Sequence, residues 1–590
     1  MTKDKIVVAL FLGLLIVPYF VNLSGSSLWD STEAFYAETP REMIELGSYV
    51  VPYFNYEPRL NKPPLSYYLV IPFYRLFDVS PVSERVVNAL GAGLLILLTF
   101  ALGSLIFNQR AGLLGAALVA TTPRLVLIAQ KSIIDTYFTL FVTAALFCFW
   151  LMVRTGDRGR ETGDKRWGTG AEGEVPPSSV PGHRSSVFGR PSSVFGLRSS
   201  VLFYIALALG VLTKGPLALI LPGGIIFFFL LVTKRWMLLH RMNVFLGMTI
   251  LAAIILPWYV AVYLKLGWEP IATFIFRENV GRFTSDIDWS SRGPFYYVSV
   301  LPGDFFPWSL YLIPVGILSY RTWRWNEEHR QPVVYLLLWI VFIFVFFSLA
   351  RNKHEYYLLP LYPAAAVLLG WLFVHLMDET VKGWERRSAQ MVTLVVGIIL
   401  IGAGITLALV VRRVFLAPLA SYTLVVVIGG GLWLLWQAVR QHLKRVPLFL
   451  IGLMLASVLL YQFVYLPAIE PYRPTKALSE VMKREARPED LVGAYNYAVP
   501  SLTFYLRRKI FEVFQPDVIH EILQSDRRVF CLVTERDFPQ LDQTLPGQLT
   551  VLERRPLLTL RLNALWDAHA RERMPHLLLI SNRPSRRAFE

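Results

Sequence analysis

Apolar runs recur along the chain at 6–22, 86–106, 111–130, 133–153, 201–213, 215–232, 244–264, 302–320, 333–350, 360–377, 391–410, 419–439 and 447–467. Crossing the bilayer hydrocarbon takes about 20 such residues in a helix. The pattern therefore predicts a polytopic α-helical membrane protein with about 13 transmembrane helices. The fifth and sixth runs are short and meet at Thr213-Lys214-Gly215-Pro216. A helix break at that depth is tolerated where it lines a polar cavity. The first run follows Lys3 and Lys5, as in a signal peptide. No small-x-small cleavage site follows it cleanly, so it reads as a retained first span.

Polar interruptions divide the rest. A first loop, 23–85, interleaves Asp30, Glu33, Glu38, Arg41, Glu42 and Lys62 with many Tyr and Phe. Such a mixture at the mouth of a bundle suits interfacial helices handling a polar or charged substrate. A second loop covers 265–301. Residues 154–200 are rich in Gly, Ser, Pro and Arg and repeat the unit Ser-Ser-Val-Phe-Gly. That composition predicts a disordered cytoplasmic insertion without a catalytic role. After residue 470 hydropathy falls. Residues 473–590 alternate short apolar runs with polar helix-like segments, which predicts a small C-terminal α/β domain.

Composition agrees with a membrane domain over 1–470. Of 590 residues, 54% are hydrophobic and 17% charged, with mean hydropathy +0.47; a soluble protein carries about 25% charged residues. The net charge of +16 is spread over short loops, with no basic patch on a nucleic-acid-binding fold. We expect no nucleic-acid partner. With the N-terminus inside, every cytoplasmic connection is basic (Arg110, 154–200, Lys234/Arg235/Arg241, Arg321/Arg324/Arg330, Lys382/Arg386/Arg387, Arg440/Lys444/Arg445), as the positive-inside rule requires. An odd number of spans then puts the C-terminal domain outside. The outer loops also hold cations, including Arg41, Lys62, Arg85, Lys131, Lys214, Arg282 and Lys353. A substrate phosphate would explain them. Cys148 and Cys531 lie far apart without disulfide or zinc-type spacing.

Several residues are candidates for chemistry. Asp30 and Glu33 flank Ser31-Thr32 where the first span gives way to an interfacial helix. Asp30 or Thr32 as a cap, with Glu33 at the positive end of the helix, is one reading. A carboxylate in a low-dielectric cleft, acting as general base or orienting an acceptor, is the other. Lys62 precedes Pro63-Pro64, which suit the first turn of a helix. Its ammonium would then sit near a helix N-terminus, ready for an anionic phosphate, or would snorkel at the interface. Asp135 lies at the outer mouth of the third and fourth spans, with Lys131 one candidate partner. Lys214, Glu278, Arg282, Lys353 and Tyr357 complete the outward-facing charges and aromatics.

Together these motifs resemble the bacterial aminoarabinose-transferase-like members of the protein O-mannosyltransferase superfamily, which have the GT-C fold. The resemblance runs from the first span to about residue 365, interrupted by 154–200. It rests on Asp30…Glu33-Ala34…Tyr36-Ala37-Glu38…Arg41-Glu42-Met43, Lys62-Pro63-Pro64-Leu65…Tyr68, Arg85, Asp135, Lys214-Gly215-Pro216, Pro257-Trp258-Tyr259, Glu278…Arg282-Phe283, Pro307-Trp308 and Phe347-Ser348…Lys353…Tyr357…Pro360. It implies an enzyme that moves a sugar from a polyprenyl-phosphate carrier to a lipid, glycan or protein acceptor on the outer face of the bacterial cytoplasmic membrane. It also implies that the acidic pair at the start of the first loop is essential.

On that basis Asp30 and Glu33 are the expected catalytic residues. Lys62, Arg282 and Lys353 are expected to bind the donor phosphate, and Tyr36, Arg85, Asp135, Lys214, Glu278 and Tyr357 to line the substrate pocket. The chain departs from many relatives in having Thr32-Glu33 where they carry adjacent acids. It has Asn61 and Asn279 where relatives carry acid and imidazole. Two asparagines do not suit a divalent metal, so we expect a metal-independent, cofactor-free, inverting transfer by a monomer whose partners are the lipid-linked donor, the acceptor and membrane lipids. The rival readings are a flippase or transporter of a lipid-linked sugar and a non-catalytic envelope assembly protein. A transporter would show inverted repeats and helices broken at the midplane; the sequence has one break, and its ionisable residues gather at one surface.

Overall fold

The structure is a computed structural model and describes residues 3–30, 32–167, 193–285, 290–410, 420–558 and 573–584. Among these residues eight helices are long and apolar enough to cross a bilayer, and Gln109–Ala120 with Pro123–Ala129, bent by 59°, makes a ninth if counted as one span. The remaining apolar runs form shorter or broken helices. Lys3–Ile16, Leu217–Thr233 and Leu424–Val439 fall below spanning length, and the run 302–320 divides into Tyr296–Asp304 and Leu312–Trp325. The count of 13 is thus coarser than the fold: hydropathy marks apolar length, whereas proline and turn geometry decide where a helix stops.

Part of the segment 154–200, expected from its composition to be disordered, is helical. Helices Asp135–Trp167 and Ser193–Lys214 enter the 154–200 segment from both sides; its remaining residues, 168–192, lie outside the described residues. Helix Glu355–Met377 runs through the centre of the bundle, 94% buried, while Val244–Leu266 is 11% buried and faces outward along most of its length. The central packing depends on small residues. A Cβ on Gly370 would stand 2.4 Å from the Ala111 carbonyl and 2.7 Å from the Gly115 nitrogen. Two membrane helices approach that closely only where side chains are absent.

The first loop folds into helix Glu33–Glu45, a short hairpin (β1 Tyr53–Phe54, β2 Glu57–Pro58) and helix Leu65–Phe77. The C-terminal unit is a five-stranded sheet in the order β4-β3-β5-β7-β6, formed by β3 Leu491–Tyr495, β4 Phe511–Val513, β5 Val529–Thr534, β6 Thr550–Pro556 and β7 His576–Ser581. Strands β4, β3 and β5 are parallel; β7 and β6 join antiparallel. The central strand β5 is apolar from Val529 to Val533 because both faces are covered there. Phe530 and Leu532 pack with Leu478, Met482 and Leu502, while Val529, Cys531 and Val533 pack with Ile519, Leu523 and Leu541. Cys148 and Cys531 are both buried free thiols.

Candidate active site

Two polar clusters form above the bundle, and the sequence-predicted residues divide between them. The first begins at Lys62. The turn Lys62-Pro63-Pro64 ends against helix Leu65–Phe77, whose first N–H groups at Tyr67 and Tyr68 reach the Pro64 carbonyl at 3.0 Å. Lys62 is half-buried there. Burial pushes its ammonium down to about 8, with the positive charges of Lys214, Arg282 and Arg59 adding to the effect and Glu278 opposing it.

Lys214 stands at the Gly-Pro break and pairs with Asp135; both are buried. Its Nζ lies 4.3 Å from the Tyr357 ring centre and 5.1 Å from that of Phe138. Gly215 adopts φ +87°, and a Cβ there would lie 2.7 Å from Phe274 and 3.3 Å from the Asn279 side chain. Only glycine accommodates both demands. The break therefore packs directly on the π-helical segment Thr273–Gly281, a local geometry frequent at functional sites. That segment carries Glu278, which accepts from Arg282 Nε at 3.0 Å.

Tyr36, one turn into its helix, stacks on Tyr67 with ring centres 6.2 Å apart. Burial holds its hydroxyl well above the usual phenol range, reinforced by Tyr67, Asp135 and Tyr357, while Arg59 opposes. Tyr36, Lys62, Asp135, Lys214, Glu278, Arg282 and Tyr357 are thus brought together, as expected. Arg59 was not anticipated. Its guanidinium lies over the Phe35 ring at 4.2 Å, and its buried Nη1 has no hydrogen-bond partner among the described residues. Its place three residues before Lys62 in an aromatic-rich loop was the available signal. His354 also faces this cluster; burial, Lys214 and Arg282 lower its pKa.

The second cluster holds the residues expected to catalyse, and here the sequence reading needs correction. Both oxygens of Glu33 are committed: Oε1 accepts from Arg85 Nε at 2.6 Å, and Oε2 from Arg85 Nη2 at 3.1 Å and the Trp29 N–H at 2.9 Å. Arg85 also donates to the Leu23, Ser26 and Ser27 carbonyls. Fully buried and fully engaged, this pair folds the chain back from the first span; Arg85 is not a pocket residue.

Asp30 is held by the C-terminal domain. Its Oδ1 accepts from the Ser501 N–H and hydroxyl, and its Oδ2 from the Thr475 hydroxyl at 3.0 Å. Around it the Leu28 N–H donates to the Tyr505 hydroxyl, Arg473 donates to the Ser27 and Leu28 carbonyls, and Asn55 pairs twice with Ile510. Asp30 fastens the first loop to the C-terminal unit. Asp30→Asn should therefore keep its activity, since an amide can still accept from Ser501 and reverse its bond with Thr475. Asp30→Leu strands those donors at about 1–3 kcal/mol each and should expose the seam to limited proteolysis. Loss of activity in a properly folded Asp30→Asn protein would return the carboxylate to a chemical role.

Lys353 is a further correction. Its ammonium donates to the Arg292 carbonyl at 2.9 Å and to the Ala350 carbonyl. It secures residues 350–353 against the second loop, where the Asn352 side chain and N–H both reach the Arg282 carbonyl at 3.0 Å. Lys353 thus spends its ammonium on backbone carbonyls beside the strand of contacts that holds Arg282.

Comparisons with known proteins bear on the fold. Residues 6–169 match the family model described as dolichyl-phosphate-mannose-protein mannosyltransferase. ArnT from Cupriavidus metallidurans, solved with undecaprenyl phosphate bound, superposes with TM-score 0.73 at 21% identity over 99% of each chain. The chain has the GT-C fold. An undecaprenyl phosphate-alpha-4-amino-4-deoxy-L-arabinose arabinosyl transferase of Pectobacterium carotovorum is 31% identical over 379 residues, 63% of this chain and 59% of the relative. An uncharacterized protein of Aquifex aeolicus is 27% identical over 358 residues, covering 60% and 61%. The chain thus spans about three-fifths of the length of these relatives. Among the described residues no three His, Cys, Asp or Glu side chains gather as metal ligands would. At Asn279 the side chain is an amide donating to the Phe274 carbonyl, a donor set that does not fit a divalent ion.

Proposed function

We propose that this protein is a membrane glycosyltransferase that takes a sugar from a polyprenyl-phosphate donor and passes it to a lipid or glycan acceptor outside the cytoplasmic membrane, with its N-terminus cytoplasmic and its C-terminal domain outside. One observation carries the reading: Arg59, Lys62, Lys214 and Arg282 converge, with Asp135 and Glu278 among the described residues that face them. A phosphate is a ligand that such a cluster of cations suits. In the transfer the bond from the anomeric carbon to the phosphate oxygen breaks. Its electron pair stays on the phosphate, where Lys62, Arg59 and Arg282 stabilise the growing charge. The acceptor oxygen attacks from the opposite face, inverting the centre. Tyr36, Tyr67 and Tyr357 supply walls for the sugar.

The carboxylates in this cavity are each engaged by a cation, so the arrangement favours an acceptor oxygen that is already ionised, such as a phosphate, over a hydroxyl that needs a base. The test is mass spectrometry of envelope lipids and glycans from cells with and without the protein. We expect a sugar increment on a phosphate-bearing species to vanish with the protein; identical profiles would overturn the activity.

Lys62 also sets a pH dependence. Its charged form is required to meet the donor and is lost as pH rises through about 8. Donor kcat/KM, which reports the free enzyme, should be level below that pH and decline above it. Lys62→Arg should remove the decline, because a guanidinium stays charged throughout. An unchanged profile in Lys62→Arg would assign the decline elsewhere.

A further inference from the structure

A second basic site lies outside the donor cavity, in the seam between the two domains. A crevice of about 240 Å³ is lined by Lys476, Lys483 and Arg507 from the C-terminal unit, by Ser24, Ser26, Ser27 and Ser80 from the first loop, and by the apolar Val79, Val82 and Phe504. No carboxylate lines it. Lys483 has Glu480 at 3.0 Å on its outer side. Neither the Lys476 ammonium nor the Arg507 guanidinium makes a hydrogen bond or ion pair among the described residues; both are exposed. Three cations and several hydroxyls facing one small space form an anion site.

Its position narrows the ligand. Ser80 caps helix Pro81–Ile106, accepting from the Ser83 N–H, so the crevice opens at the N-terminal end of a helix long and apolar enough to span a bilayer. From its rim the exposed side chains Val82, Leu90, Leu94 and Leu97 descend one face of the helix, and Leu76 and Phe77 stand exposed beside it at the end of the preceding helix. A headgroup in the crevice would leave its acyl chains along this apolar face. We infer that the crevice holds the phosphate headgroup of an anionic phospholipid from the leaflet that meets the C-terminal domain. The occupant ties the seam to the membrane, and the site is independent of the donor cavity, since none of the residues lining it faces Lys62.

The experiment titrates the full-length protein in detergent with short-chain phosphatidylglycerol, phosphatidylcholine and inorganic phosphate, reading bound species by native mass spectrometry. Phosphatidylglycerol should bind about tenfold more tightly than phosphatidylcholine, as two unpaired cations near an anionic surface imply. Lys476→Gln/Arg507→Gln should abolish that preference, while Lys476→Arg, which keeps the charge, and Lys62→Ala should both retain it. Equal binding of the two lipids, or an undiminished preference in the double variant, would overturn the site. Loss of the preference in Lys62→Ala would place the lipid in the donor cavity instead. Competition by inorganic phosphate at matched concentration would identify a free anion, and not a lipid, as the occupant. Should the double variant fail to fold, Arg507→Gln alone is expected to lower the preference, and no change there would count against the proposal.

Discussion

Lys62→Ala lowers turnover by about a hundredfold or more while the protein still inserts and folds. The magnitude follows from removing one charge aimed at a developing oxyanion, typically about 2.7–4 kcal/mol. The fold should tolerate it, because among the described residues the ammonium makes no ion pair and its charged neighbours are mainly other cations. Removing it relieves repulsion from Lys214, Arg282 and Arg59, so thermal stability should hold or rise. Turnover and melting temperature therefore move in different directions, which separates a chemical role from a structural one. Normal sugar transfer in vesicles carrying Lys62→Ala would remove the phosphate role assigned to this residue.

Arg85→Ala should give the largest loss of stability. The guanidinium serves Glu33 and the carbonyls of Leu23, Ser26 and Ser27 at once, with 1% of its surface exposed. Its removal leaves the Glu33 carboxylate buried without its partner, and breaking a buried pair from one side costs about 3–5 kcal/mol. In a marginally stable protein that should appear as a steep drop in purified yield and in the temperature of unfolding in detergent. Arg85→Lys, keeping the charge but not the fork, should fall between. An Arg85→Ala protein that unfolds normally yet cannot turn over donor would instead restore Arg85 to the substrate pocket.

The sequence was most readable where function depends on local chain geometry. The Thr213–Pro216 break, the proline-terminated turn at Lys62 and the loop charges around them all follow from residue type and short spacing, and the structure brings them together. It was least readable where a group's role depends on a distant partner. Asp30 looks like half of an acidic pair because Glu33 is close in sequence. Its bonds, however, run to Thr475 and Ser501, 445 and 471 residues away. Glu33 finds Arg85 across 52 positions, and Lys353 spends its charge on carbonyls that no motif reveals. Arg59 escaped notice because a lone arginine beside aromatics reads equally well as an interfacial anchor. The α/β character of the C-terminal unit was legible from its alternating apolar runs, whereas its attachment to the first loop was not.

That attachment orders events during synthesis. The first loop leaves the ribosome early, yet the side chains that fasten it, from Arg473 to Ile510, are made near the end. Until they fold, Asp30 and Asn55 have nothing to grip. A nascent chain can thus form its apolar helices while its first loop is still unfastened.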